Sequence, residues 1–143
     1  LINYLLILLL DLLVEEEVEL NEQLTDSSRS VRLFLRELDN NLSEAWTIED
    51  MAKSAGVGLT RFTHHCKQLT NLTPMRYLMM KRIELSKKIL MHKEFLTVSE
   101  VAFACGFSTS QYFSTVFKKQ EKCTPIEFRQ KNLVSVLLND TIV

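Results

Sequence analysis

Apolar positions recur at helical spacing along most of the chain. Val31, Leu33, Phe34, Leu35, Leu38 and Leu42 form one near-helical set. Ile48, Met51, Ala52 and Ala55 form a second, and Val98, Val101, Ala102 and Cys105 a third, each a one-sided helix of about two and a half turns. Phe62, Cys66 and Leu69 anchor another helix, and Phe113 and Phe117 one more. Up to residue 131 there is no run of period-two alternation, and helix formers dominate, which predicts an all-α fold. Leu1–Val14, LINYLLILLLDLLV, is apolar on most faces and runs on to Val18 and Leu24 among glutamates. It is too short to cross a bilayer, holds Asp11 and lacks a basic flank, so neither a membrane span nor a signal peptide is expected. A helix of this kind must bury itself, against this domain, against a missing upstream domain, or against a second copy as a dimerisation helix.

The same pattern occurs twice. TIEDMAKSAGV (residues 47–57) and TVSEVAFACGF (97–107) pair Thr47 with Thr97, Asp50 with Glu100, Ala52 with Ala102 and Gly56 with Gly106, at an offset of 50. Past the glycines one residue is inserted. Phe62 then pairs with Phe113, Cys66 with Phe117, Lys67 with Lys118, Thr73 with Thr124, Pro74 with Pro125 and Tyr77 with Phe128. Each copy opens on Thr-x-x-Asp or Thr-x-x-Glu, a helix-capping arrangement. The glycines then stop the helix, because glycine tolerates the left-handed conformation. A short turn follows, plugged by Val57 or Phe107, and then a second helix. Small Ala52 and Ala102 let that helix approach closely. This plan is helix-turn-helix, in two tandem copies. Between them, Pro74–His92 reads as one long helix with Pro74 at its favoured first position. At about 28 Å it suits a rigid spacer between elements one DNA turn apart.

Composition narrows the class. Apolar residues make up 46% and charged residues 24%, enough for a packed core. Three Gly and two Pro argue against a turn-rich β fold and a glycine-rich nucleotide cradle. Cys66, Cys105 and Cys123 are odd in number and lack metal-ligand spacing; they read as small buried hydrophobes in a reducing cytoplasm. The net charge of −1 hides an asymmetry. Residues 1–26 carry seven acids and no Lys or Arg, whereas residues 44–131 carry fourteen basic residues against eight acidic ones. A basic unit behind an acidic leader points to a polyanionic partner. The chain begins at Leu1 rather than Met, as a piece of a longer protein would.

These residues resemble the DNA-binding domain of the AraC/XylS family of bacterial transcription activators over about Ser28–Lys131. The likeness is carried by TIEDMAKSAGV, by Thr73-Pro74-x-x-Tyr77, by Arg82, and above all by VSEVAFACGFSTSQYFSTVFKKQEKCTPIEFR. In the first copy His65 and Cys66 stand where the family usually places leucine and phenylalanine. The resemblance implies about seven helices and double-stranded DNA as partner, read by two helices in successive major grooves. It also implies RNA polymerase as a protein partner and a cytoplasmic bacterial setting. A small-molecule effector would act only through a domain absent from this chain. The expected organisation is an N-terminal helix or linker over 1–26, a first helix-turn-helix unit over 27–73, the linker helix over 74–93, a second unit over 94–131 and a tail over 132–143.

Reading helices use the polar positions left once their apolar anchors face inward. Base-contact candidates are Thr60, Arg61, Thr63 and His64 in the first copy, and Ser110, Gln111, Ser114 and Thr115 in the second. Gln suits adenine and Arg suits guanine, while Ser and Thr bond bases or phosphates. Lys67, Gln68, Lys118, Lys119 and Lys122 are the phosphate-contact candidates. Lys81, Lys87, Lys88 and Lys93 of the linker helix read as plain surface. His64, His65 and Cys66 cannot converge on a metal, because adjacent helical residues point about 100° apart. His65 reads as core edge, and Trp46 and Phe34 as core aromatics. No cofactor is expected. With no nucleophile–base pair, glycine loop or metal cluster, an enzyme is not expected either. The competing expectation is a helical protein-interaction module that keeps the fold without binding DNA.

Overall fold

The structure, a computed structural model, describes Leu10 and residues 25–140, the last seven of these by backbone alone. The helix expected over residues 1–26 lies almost entirely outside them. Every regular element among the described residues from 25 to 140 is a helix. They are α1 (residues 25–38), α2 (Ile48–Ser54), α3 (Leu59–Thr70), α4 (Pro74–His92), α5 (Val98–Ala104), α6 (Ser110–Glu121) and α7 (Pro125–Asp140). The long helix starts at Pro74, as its first-position proline dictates. α7 continues to Asp140, through the segment read from the sequence as a tail.

Two compact units emerge. Among the described residues, the first joins those of α1 up to Glu37 with Thr47–Pro74; the second joins Leu38–Trp46 with the chain from Met75 to Asp140. In the first, Val31, Phe34 and Leu35 of α1, Met51, Ala52 and Ala55 of the α2 segment, and Phe62 and Cys66 of α3 are buried. The Phe34 and Phe62 rings meet edge to face at 5.6 Å. In the second, the core is Ile83, Leu90, Val101, Ala102, Cys105, Phe107, Phe113 and Phe117. Phe107, Phe113, Phe117 and Phe128 form a chain of ring contacts with centroids 5.1–5.5 Å apart. Phe107, Phe113 and Phe117, which are buried, each stabilise the fold by about 1.5–3 kcal/mol.

The threonines cap as their spacing predicts. Thr47 Oγ1 accepts from the Asp50 N–H at 3.1 Å, and Thr97 Oγ1 from the Glu100 N–H at 3.2 Å. Glu100 also reaches back to accept the Thr97 N–H at 2.7 Å, closing a full capping box. Asp50 is one methylene shorter, and its carboxylate takes the Thr47 hydroxyl at 2.6 Å. Thr124 and Glu127 repeat the full box at the start of α7.

Gly56 and Gly106 both adopt positive φ, +69° and +84°, at the ends of α2 and α5. Behind them the Val57 and Phe107 N–H groups bond back to Ala52 and Ala102 at 3.1 and 3.0 Å. The two glycines differ in their surroundings. A Cβ on Gly56 would meet nothing within 4 Å, whereas one on Gly106 would lie 2.6 Å from the Leu42 carbonyl oxygen and 2.9 Å from Ser43 Cα. The same Leu42 oxygen accepts from Arg82 Nε at 2.9 Å, and the Glu44 carbonyl accepts from Arg82 Nη2 at 2.6 Å. Buried Arg82 thus ties the loop after α1 to α4, against the α5–α6 turn.

Some side chains sit less deeply than the pattern suggests. Trp46 is half-buried, its indole N–H donating to the Asn41 carbonyl at 2.8 Å, and so is Cys123. Ile48, Val98 and Leu69 are half-buried too, at the edges of their helix faces.

Gly56→Ala should therefore cost only the left-handed strain of about 1–2 kcal/mol. Gly106→Ala should cost clearly more, because rigid backbone stands in the way. Urea unfolding of both variants measures the difference, and equal losses would show that the Leu42 contact is not a constraint. The Glu100 and Glu127 carboxyls are held below their ordinary value of 4.5 by the backbone N–H and then the hydroxyl of the capping threonines. The charged form is the stabilising one. Its contribution is complete above the ordinary value and is lost as the pH falls through the lowered one. A Glu100→Gln, Glu127→Gln variant should lose less stability than the natural chain between pH 5 and pH 3 in acid titrations followed by circular dichroism, a window set by about one unit either side of that carboxylate range.

Candidate nucleic-acid interface

α3 and α6 are matched helices of twelve residues each, and both end on a left-handed residue, Asn71 and Lys122. Phe62 and Cys66 fix the phase of α3, and Phe113 and Phe117 that of α6; all four are fully buried. Residues one turn apart share a face, so burying one face of each helix turns the opposite face outward. Thr60, Arg61, His64, Lys67 and Gln68 are exposed on α3. Gln111, Thr115, Lys118, Lys119 and the capping Lys122 are exposed at α6. Lys67, Lys118 and Lys119 lie in the last turns of their helices, where the helix dipole favours cations.

Three base candidates sit at the edge of the polar faces. Thr63, Ser110 and Ser114 are half-buried. The Thr63 hydroxyl donates to the Leu59 carbonyl at 2.9 Å, and that of Thr115 to Gln111 at 3.0 Å. Each can still accept through its oxygen. Lys122 Nζ folds back onto the Lys119 carbonyl at 3.1 Å. Tyr112, half exposed in the position that matches Arg61, belongs to the same open face of α6 and was missing from the candidate set. Its alignment with Arg61 was the available signal. Two linker-helix lysines are engaged within the second unit. Lys81 pairs with Asp39 at 3.2 Å and Lys87 with Glu121 at 2.9 Å.

The first unit has a polar cleft of about 470 Å³ between α1 and α3. Ser28, Arg29 and Arg32 line it from α1, and His64, His65 and Gln68 from α3. His65 is 5% exposed, and among the described residues neither of its ring nitrogens has a hydrogen-bond partner. Its counterpart in α6 is the apolar, half-buried Val116. An unsatisfied buried polar group costs about 1–3 kcal/mol. The two arginines lie outside the reading set drawn from the sequence. Their spacing of three residues was visible, but what they face depends on how α1 meets α3.

The two buried thiols are held in the protonated form. Burial pushes the Cys105 thiol up to about 12 despite nearby Arg82, and burial also raises Cys66, which touches Thr70 Oγ1 at 3.9 Å. Among the described residues no cluster of three His, Cys, Asp or Glu side chains converges as a metal site. Nor is any helix there long and apolar enough to cross a membrane.

Two helix-turn-helix units in one chain, each with an amphipathic second helix and an open polar face, define a tandem helix-turn-helix protein. Residues 51–131 match the model of the helix-turn-helix domain family. The chain is 32% identical over 119 residues to the transcriptional activator RhaS of Escherichia coli, covering 83% of this chain and 42% of that protein. It therefore spans about two fifths of the length of the curated relatives it matches. A transcriptional regulator of Chromobacterium violaceum, described as having an AraC-type DNA-binding domain, superposes with a TM-score of 0.68 at 23% identity, over 74% of this chain and 94% of that one. The DNA-binding domain of AdpA, solved with a target DNA, gives 0.67 at 23% identity, over 71% and 90%. The chain belongs to the AraC/XylS family of regulators, of which it carries the tandem helix-turn-helix region.

His65→Leu should raise the melting temperature, by an amount equivalent to about 1–3 kcal/mol, because it removes two unsatisfied polar atoms from a buried position. A lower melting temperature would mean that His65 is satisfied in solution.

Proposed function

We propose that this chain binds double-stranded DNA in a sequence-specific manner and acts in a bacterial transcription regulator, an activator by its likeness to RhaS. The observation that carries the reading is the pair of exposed polar faces on α3 and α6, each backed by buried anchors and carrying lysine in its last turn. The DNA complex of AdpA supports it, since that domain shares the fold.

In this reading each unit addresses its own half-site. Thr60, Arg61, Thr63 and His64 face bases in one major groove, and Ser110, Gln111, Ser114 and Thr115 face bases in another. Lys67, Gln68, Lys118, Lys119 and Lys122 hold phosphates. The two sets differ at nearly every position, so the half-sites differ and the full site is asymmetric. Such a regulator works in the cytoplasm, with RNA polymerase as its protein partner. An effector or a second copy would enter through the N-terminal side, where the helix expected from the sequence lies almost entirely outside the described residues.

Gel shifts at increasing salt test the reading. The four lysines of the phosphate-holding set, each neutralising one phosphate, would contribute about −3.6 to the log–log slope. Affinity that stays flat between low and physiological salt would instead fit a protein-interaction module. Gln111→Ala should cost about 1–3 kcal/mol on the best site and relax its specificity at one or two base pairs. Lys118→Ala should weaken all sequences alike. Identical profiles for the two variants would overturn the division into base and phosphate contacts.

A further inference from the structure

The cleft between α1 and α3 has a chemistry that base reading alone does not use. Arg29 and Arg32 lie three residues apart on α1, so their guanidinium groups share one face. The Ser28 hydroxyl stands beside them, and the Gln68 amide faces them from α3. Among the described residues no carboxylate lines the cleft. Asp26 approaches Arg29 at 3.9 Å, but both side chains are about three quarters exposed, so that pair is loose. Arg32 has no ion pair among the described residues. Against this set of donors lies His65, buried, with both ring nitrogens unpartnered among the described residues.

Paired guanidinium forks match the geometry of an oxyanion, and an imidazole adds one donor when neutral and two when protonated. We infer that this cleft binds a phosphate-type oxyanion, supplied either by a backbone phosphate of bound duplex or by a free phosphorylated small molecule. At about 470 Å³ it has room for more than the phosphate group itself. The anion gives His65 the partner it lacks, which accounts for a polar residue kept where the second unit has Val116. Because His64 and Gln68 also line the cleft, its occupancy bears directly on α3.

The inference rests on the cleft and not on DNA binding, so its test uses the full chain with inorganic phosphate, against chloride at matched ionic strength. Phosphate should shift the imidazole nitrogen signals of His65 in a saturable way. Arg29→Gln and Arg32→Gln should each weaken that response about tenfold, the loss of one charged hydrogen-bond donor. Arg36→Gln, exposed on the same helix but outside the cleft, should leave it unchanged. His65→Leu serves as a second variant, followed by calorimetric titration with phosphate because it has no imidazole to observe; it should fold at least as stably as the natural chain and lose the heat of phosphate binding. A flat titration of His65, or equal weakening by all three arginine variants, would overturn the inference. Repeating the titration on the duplex-bound chain separates the sources. A response that persists marks a small-molecule site. One that disappears, together with a fall of about one in the salt slope for each arginine variant, marks a backbone phosphate. If the chain bound no duplex, the phosphate titration would still decide the inference by itself.

Discussion

The phase of α3 and α6 is the constraint on which the rest depends. Phe113 and Phe117 lie one turn apart and are fully buried, so α6 cannot rotate without exposing two rings. Phe62 and Cys66 hold α3 in the same way. Everything proposed about recognition follows from that fixed rotation. The polar face is open because the apolar face is closed. The glycine turns before these helices do the matching work on direction, each ending one helix with a left-handed residue so that the next can start at once.

The two units solve this problem with unequal rigour. In the second, Arg82, the Leu42 carbonyl and Gly106 occupy a space so tight that an added methyl has nowhere to go. Its aromatic chain runs from Phe107 to Phe128, and its first helix has a complete capping box. In the first, Gly56 stands in open space, Cys66 replaces a phenylalanine, and His65 is buried without a partner. The first unit thus gives up stability at the place where it has a polar cleft. A violated packing rule of this kind is expected at a functional position rather than a purely structural one.

Helix boundaries were legible because their signals are local. Thr47, Thr97, Pro74 and the two glycines each act within a few residues, and the structure starts or stops a helix at each of them. The anchors Phe62, Phe113 and Phe117 followed from helical spacing alone. Features that depend on distant segments were not legible. Arg82 reaches carbonyls about forty residues away, and the cleft forms only where α1 meets α3. Partial burial of Trp46 and Cys123 is a matter of depth, which periodicity does not encode. The same holds for the Thr63, Thr115 and Lys122 side chains, which bond to their own helices.

The central claim is that two non-equivalent helices read one DNA site. Selection of bound sequences from a random duplex library, with the full chain and with variants at Arg61 and Gln111, tests it most directly. The natural chain should enrich an asymmetric motif of two dissimilar halves, the Arg61 variant should relax one half only, and the Gln111 variant the other. Enrichment of no sequence, or a motif that both variants degrade in the same half, would contradict the account.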